Sequence, residues 1–374
     1  MRIAFIGQKG VPATFGGIEH HVEEIGARLA GRGHEVTVFC RSNYVTQRLS
    51  EHKGMRLVHV PTVASKHLDA IVHSLVSTGA SVGRGFDIIH YHAIGPGALS
   101  PVARAITRAK VVQTIHGRDD ERAKWSRPAQ AMLRSAAWMS ARVPNATIVV
   151  SQALADHYRT HYGREVDYIP NGVDAPGERT DAHEIERRYG LEPDSYLLFV
   201  GRLVPEKAPD LLVRAFRRVP GELRLVIVGG SSFSDSYVRS IRDLVDGDHR
   251  VEWVDYVYGD LLAELYANAR AFVLPSLVEG LPLTLLEAAS HATPVVASAI
   301  PPHLEVLGAD GPGRRLFRPG DEDDLVAAIQ RGLADPQAER AGAVVLADEV
   351  VKTYRWDRAV DATEAVYERV AARE

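Results

Sequence analysis

Two Rossmann-like halves, each a parallel α/β sheet, are the architecture this sequence predicts, and three observations carry the prediction. The chain opens with a strand, a glycine-rich loop, a helix and a second strand; units of the same kind recur to its end; and a polar stretch after Asn171–Asp174 interrupts them near the middle. A length of 374 residues suits two domains, each large enough for its own core.

Taken in order, MRIAFIG at 1–7 is a short apolar run with β-branched and aromatic residues. The loop 7–17 follows, and then Ile18, Val22, Ile25 and Leu29 recur at helical spacing. EVTVFC, RLVHVP, DIIHYHA, KVVQTIHG, ATIVVS and VDYIP are strand-like, with helical stretches between most of them. The segment 175–195 is polar, charged and broken by Gly and Pro, and reads as a linker leading into a short helix. Beyond it SYLLFVGRL, LRLVIVGG, VEWVDY, AFVLPS, TPVVAS and GRRLFRP are strands. PDLLVRAFRRV, DLLAELYANA and LTLLEAASH are helices between them, and 356–374 is a last amphipathic helix with no strand after it. Parallel sheets bind ligands beyond the carboxyl ends of their strands, so a cleft between the halves is the expected site.

Composition narrows the function. Lys and Arg number 44 against 48 Asp and Glu, a net charge of -4, so no global field favours nucleic acid. The single cysteine, Cys40, excludes a disulfide framework or a Cys-rich metal site and fits a reducing compartment. Residues 1–7 read as a strand rather than a secretory signal, and no apolar run approaches the length of a membrane span. A soluble cytoplasmic protein is the expectation.

Four groups of residues stand where chemistry is expected. Gly16 and Gly17 precede a helix whose N-terminal amides and dipole favour an anion, although a tight turn would need the same glycines. The loop lacks the G-x-G-x-x-G fingerprint, and the second strand ends in Cys40-Arg41 rather than an acid, which speaks against NAD and leaves NADP on Arg41 alone. Gly201 ends a strand, and Arg202 and Lys207 follow it, two cations able to converge on a diphosphate or simply to decorate a loop. Glu279 and Glu287 bracket Gly280-Leu281-Pro282-Leu283-Thr284. In one unbroken helix they would stand about 80° apart around the axis. Gly280 and Pro282 instead put Glu279 in the loop and Glu287 in the helix, where one carboxylate can accept from sugar hydroxyls and the other from a ribose. Glu279 capping the helix is the plainer alternative. Finally, His116-Gly117 ends a strand, with Asp119 and Asp120 close behind. His90-x-His92 is weak evidence for metal, and Asp246-x-Asp248 and Asp321-x-Asp323 read as turns.

The order GG loop, HG, PNGVD, GRLVPEK, EGLPLTLLE resembles the retaining glycosyltransferases of family 4 along essentially the whole chain. The resemblance implies a GT-B architecture. Residues 1–172, with helix 356–374 packed back on them, would form the acceptor domain, and 173–355 the nucleotide-sugar domain. It implies a nucleotide-sugar donor and a glycan or lipid-linked acceptor in surface polysaccharide synthesis, with no metal or other cofactor; UDP is the first choice of carrier as the commonest in such chemistry, with GDP and dTDP behind it. By motif, Arg202 and Lys207 would hold the diphosphate, Glu287 the ribose and Glu279 the donor sugar; Gly16 and Gly17 would close over the phosphates, and His116 would sit by the sugar. Gly201, Gly280, Leu281, Leu283 and Thr284 complete the donor site. Pro282 has no N–H where some members present consecutive amides, which leaves the sugar open. A sugar-nucleotide epimerase and an NADP oxidoreductase are the competing readings.

One further stretch bears on the acceptor. Residues 101–143 carry nine Lys or Arg against three acids, with Trp125, Met132, Trp138 and Met139 among them. That pattern suits either an ordinary basic helix face or peripheral contact with an anionic membrane.

Overall fold

The computed structural model describes residues 1–14, 16–44, 48–63, 69–118, 127–175, 182–230 and 235–372. Phe15, Asp119, Asp120, Glu121, Arg122, Lys124 and Trp125, all within motifs considered above, lie outside them. The chain divides into two compact units, Met1–Gly172 with Trp356–Glu374, and Val173–Arg355.

In the first unit, strands β1 (Arg2–Ile6), β2 (Glu35–Arg41), β3 (Glu51–His52), β4 (Met55–Val60), β5 (Ile88–His92), β6 (Lys110–Ile115), β7 (Ala146–Val149) and β8 (Asp167–Tyr168) form one sheet. Its order is β3-β4-β2-β1-β5-β6-β7-β8. The central strands are buried along almost their whole length, as expected of strands covered on both faces, and this is why they read as continuous apolar runs. The sheet departs from the expected all-parallel pattern at one edge. There β3 runs antiparallel to β4, and two residues are too short to show any alternation in sequence. Gly7, at the end of β1, has φ 121°, and a Cβ there would stand 2.5 Å from the His92 carbonyl oxygen, so only glycine lets β1 and β5 finish side by side.

The orphan tail forms the helix Trp356–Ala371. Trp356, Val360, Thr363, Tyr367 and Val370 repeat at four- and three-residue steps and are all buried, which makes one continuous stripe. The helix packs against helix Gly17–Gly31. At the rim Arg32 pairs with Asp361 at 2.6 Å and Glu364 at 2.8 Å, and Arg369 pairs with Asp167 at 2.6 Å.

The second unit is a wholly parallel six-stranded sheet in the order β11-β10-β9-β12-β13-β14. Its strands are β9 (Tyr196–Val200), β10 (Arg224–Val228), β11 (Val251–Val254), β12 (Ala271–Leu274), β13 (Val295–Ser298) and β14 (Arg314–Phe317). One face packs Leu197, Phe199, Leu225, Ile227 and Val273 against Leu212 and Phe216 of helix Pro209–Arg217 and Leu325 and Ile329 of helix Glu322–Ala334. Gly229, at φ 139°, lets β10 end against β9, since a Cβ there would lie 1.9 Å from the Gly201 carbonyl oxygen. Among the described residues no helix is long and apolar enough to cross a membrane.

Candidate functional site

In the second unit the loops after β9 and β12 carry the candidate residues. Leu277 N donates to the Glu206 carbonyl at 2.8 Å and ties the two loops together. Lys207 closes the 3-10 turn Pro205–Lys207, and its Nζ donates to Glu279 Oε1 at 2.5 Å, with both side chains nearly buried at 13% and 10% exposure. Burial alone would raise the Glu279 carboxyl. The Lys207 charge and hydrogen bond outweigh it and hold Glu279 below the ordinary carboxylate value. Glu279 therefore pairs with a cation and does not cap the following helix, Leu283–Ser290, whose N-terminus has no side-chain cap. Gly280, Leu281 and Leu283 are buried between them, and Thr284 Oγ1 is a buried hydroxyl without a partner.

Glu287 lies inside that helix, and Tyr266, fully buried, donates its hydroxyl to Glu287 Oε2 at 3.0 Å. Arg202 is half-buried just past β9. His303 was not foreseen. It stands near enough to Glu279 to interact electrostatically, donates from Nδ1 to the Ser298 carbonyl at 2.8 Å, and burial lowers its pKa to about 4. Neither Tyr266 nor His303 sits in a motif, so no sequence signal could have singled them out.

In the first unit Gly16 has φ 107°, and Glu19 Oε2 lies 2.0 Å from where its Cβ would be. Glu19 accepts from Lys9 N at 2.9 Å and Glu23 from Ala13 N at 2.6 Å. Two carboxylates of the helix thus hold amides of the glycine loop at Lys9 and Ala13. Gly17 is the first helical residue.

His116, just past β6, is not a lone histidine. Its Nε2 is 3.2 Å from His92 Nδ1, and its ring centroid is 4.6 Å from that of His21, whose Nδ1 bonds Asn171 Oδ1 at 2.9 Å. His90, stacked on His92 at 4.3 Å, has both nitrogens engaged, with the Tyr367 hydroxyl at 2.6 Å and Thr114 at 2.7 Å. Burial is the main cause that lowers all four, His21 to about 4 and His90, His92 and His116 well below the ordinary value, so they are neutral at pH 7. Strand alternation alone places His90 and His92 on one face, but nothing in the sequence joins them to His21 or to Asn171 of PNGVD.

Two readings are closed by structure. Arg41, on which an NADP site depended, is 7% exposed and spends its guanidinium on Asp69 at 2.6 Å and the Gly7 carbonyl at 3.1 Å. Asp248 is paired with Arg250 at 2.8 Å, and Asp321 caps helix 322–334, so the two D-x-D segments serve structure.

Two family models match. Glycosyltransferase Family 4 covers residues 15–175, and Glycosyl transferases group 1 covers 194–335. A D-inositol 3-phosphate glycosyltransferase from Geodermatophilus obscurus is 30% identical over 95% of this chain and 85% of its own. The chain belongs to glycosyltransferase family 4. A second member, a GDP-mannose-dependent phosphatidylinositol monomannoside mannosyltransferase from Mycolicibacterium smegmatis, is 28% identical over 92% of this chain and 93% of its own. Among solved structures, sucrose-phosphate synthase from Thermosynechococcus elongatus superimposes with a TM-score of 0.84 at 24% identity, covering all of both chains. Anabaena HepE in complex with UDP-glucose superimposes at 0.81 and 19%, again over all of both chains. These likenesses establish the GT-B fold of this glycosyltransferase.

Proposed function

We propose that this glycosyltransferase moves a hexose from a nucleotide-diphosphate sugar, UDP-linked by preference, to a glycan or lipid-linked hydroxyl, with retained anomeric configuration and no metal. The buried Lys207–Glu279 pair beside the uncapped N-terminus of helix 283–290 carries the reading. Breaking the bond from the anomeric carbon to phosphate builds negative charge on the leaving diphosphate. Arg202, the two donors that Lys207 keeps beyond Glu279, and the first amides of the helix meet that charge without an ion. Glu287, steadied by Tyr266, takes the ribose hydroxyls; Glu279 takes the donor sugar, and His116 contacts it near the reacting carbon.

No nucleophile is fixed by the sequence motifs, which favours attack from the face the diphosphate leaves. The acceptor oxygen bonds the anomeric carbon as the carbon–phosphate oxygen bond breaks, and its proton passes to the leaving phosphate. The UDP preference draws on HepE, whose structure holds UDP-glucose.

Thermal shifts against UDP, GDP, dTDP and ADP, each with and without EDTA, test the donor. One diphosphate at about 100 times its dissociation constant adds about 2.7 kcal/mol. A preference for UDP that survives EDTA supports the assignment; stabilisation that disappears with EDTA overturns metal independence. Proton NMR of the first product anomer decides retention.

For the acceptor side, Met132 at 45% and Trp138 at 51% exposure lie on helix Arg127–Ser140, with Arg142 stacked 4.5 Å from the Trp138 ring centroid. Such a basic, aromatic surface supports peripheral contact with an anionic membrane. Sedimentation with anionic but not neutral liposomes at low salt is the expected outcome, and no binding to either removes it.

A further inference from the structure

The histidines of the first unit pose a problem that sugar transfer does not answer. One imidazole near a sugar serves the reaction, yet His116 stands in a group of three. His21, His92 and His116 come from three different elements, the helix after the glycine loop, the end of β5 and the end of β6. Each offers one ring nitrogen, and the three nitrogens lie within 4.8 Å of one another. We propose that these three side chains form a binding site for a divalent transition-metal ion of the zinc class.

The geometry favours it. A tetrahedral ion with bonds of 2.0–2.1 Å places neighbouring ligand nitrogens about 3.3 Å apart. His92 Nδ1 and His116 Nε2 are already 3.2 Å apart, and the two edges to His21 lie within 4.8 Å, close enough for small side-chain shifts to complete the set. His21 has its outer support in place, because Nδ1 donates to Asn171 and leaves Nε2 with its lone pair. Among the described residues no carboxylate lies in the cluster, so the donor set is three neutral nitrogens, which suits zinc, cobalt, nickel or copper and not magnesium or calcium. Three imidazoles with an open fourth position is also a known way of holding zinc. His90 takes no part, since Tyr367 and Thr114 occupy both its nitrogens.

An ion bound here takes the His116 nitrogen away from the donor sugar. The site is therefore inhibitory, and this consequence rests on the role proposed for His116, whereas metal binding does not.

A rival pair on the surface is His157 and His161, a turn apart on helix Gln152–Tyr162 with rings 4.1 Å apart. The experiment uses the full-length chain carrying His157→Ala and His161→Ala, stripped with chelator and titrated with Co2+ and, in competition with a chromophoric chelator, Zn2+. The expected result is one equivalent bound, with the intense visible bands of four-coordinate cobalt. Asn171→Ala lowers the affinity about 10-fold or more, and His92→Ala or His21→Gln abolishes stoichiometric binding. No binding in the His157/His161 background, or the weak bands of six-coordinate cobalt, overturns the site without requiring any buried variant to fold. Affinity unchanged in folded His92→Ala also overturns it. One equivalent of Zn2+ is expected to suppress turnover, and EDTA to restore it. Stoichiometric binding without suppression keeps the metal site and overturns the placement of His116 at the sugar.

Discussion

In the first unit the candidate residues are imidazoles that burial keeps neutral, held by hydrogen bonds to Asn171, Thr114 and Tyr367. In the second they are a buried ammonium and carboxylate, Lys207 and Glu279, each tolerable only because the other is there. Both solve the same problem of keeping polar groups in a largely dry place. Neutralising by burial makes a region sensitive to added protons, whereas neutralising by pairing makes it sensitive to loss of a partner. The difference suits the chemistry proposed: a diphosphate calls for permanent positive charge, while a sugar near its reacting carbon is served by an uncharged donor and acceptor.

Removing one member of the pair should give the largest effect. Lys207→Ala leaves the Glu279 charge buried and alone, at a cost of about 3 kcal/mol or more to the second unit, and lowers turnover by at least about 100-fold. Adding Glu279→Gln should recover most of the stability in urea unfolding and none of the turnover. Full activity in Lys207→Ala or in Arg202→Ala would break the assignment of these cations to the diphosphate.

Acid should then separate the two units. His21, His73, His90, His92 and His116 of the first unit have folded pKa values below the ordinary 6.5, and in the second only His291 and His303 are so shifted among the described residues. A lowered histidine pKa means the unfolded chain binds the extra proton first. The stabilisation is complete above 6.5 and is lost progressively as pH falls below it. Glu279 is depressed below 4.5, so its contribution is untouched until the pH falls past that value. Hydrogen exchange read segment by segment between pH 7 and 5 should show protection falling first and furthest in β5, β6 and helix 17–31. Equal loss in both units would end the contrast.

Two smaller effects sharpen it. Tyr367→Phe removes the hydroxyl on His90 Nδ1 and should cost the first unit about 1–3 kcal/mol, visible as a lower melting temperature. Arg32→Ala breaks partly exposed rim pairs with Asp361 and Glu364. It should change stability by about 0.5 kcal/mol, less still in high salt, which would show that the C-terminal helix is held by its buried stripe rather than by its rim.

Sequence periodicity by itself determined the two α/β halves, nearly every strand, the amphipathic tail, and the placement of Glu279 in a loop and Glu287 in a helix. Those features are local: apolar runs, glycines and prolines act within a few residues of themselves. The short antiparallel β3 escaped because two residues have no period. Only tertiary structure decided that Lys207 meets Glu279 across 72 positions of chain, that Tyr266 steadies Glu287, and that His21, His92 and His116 share one place. Such groups have no sequence spacing in common. They are brought together because parallel strands all end at one edge of a sheet, where residues far apart in the chain arrive side by side.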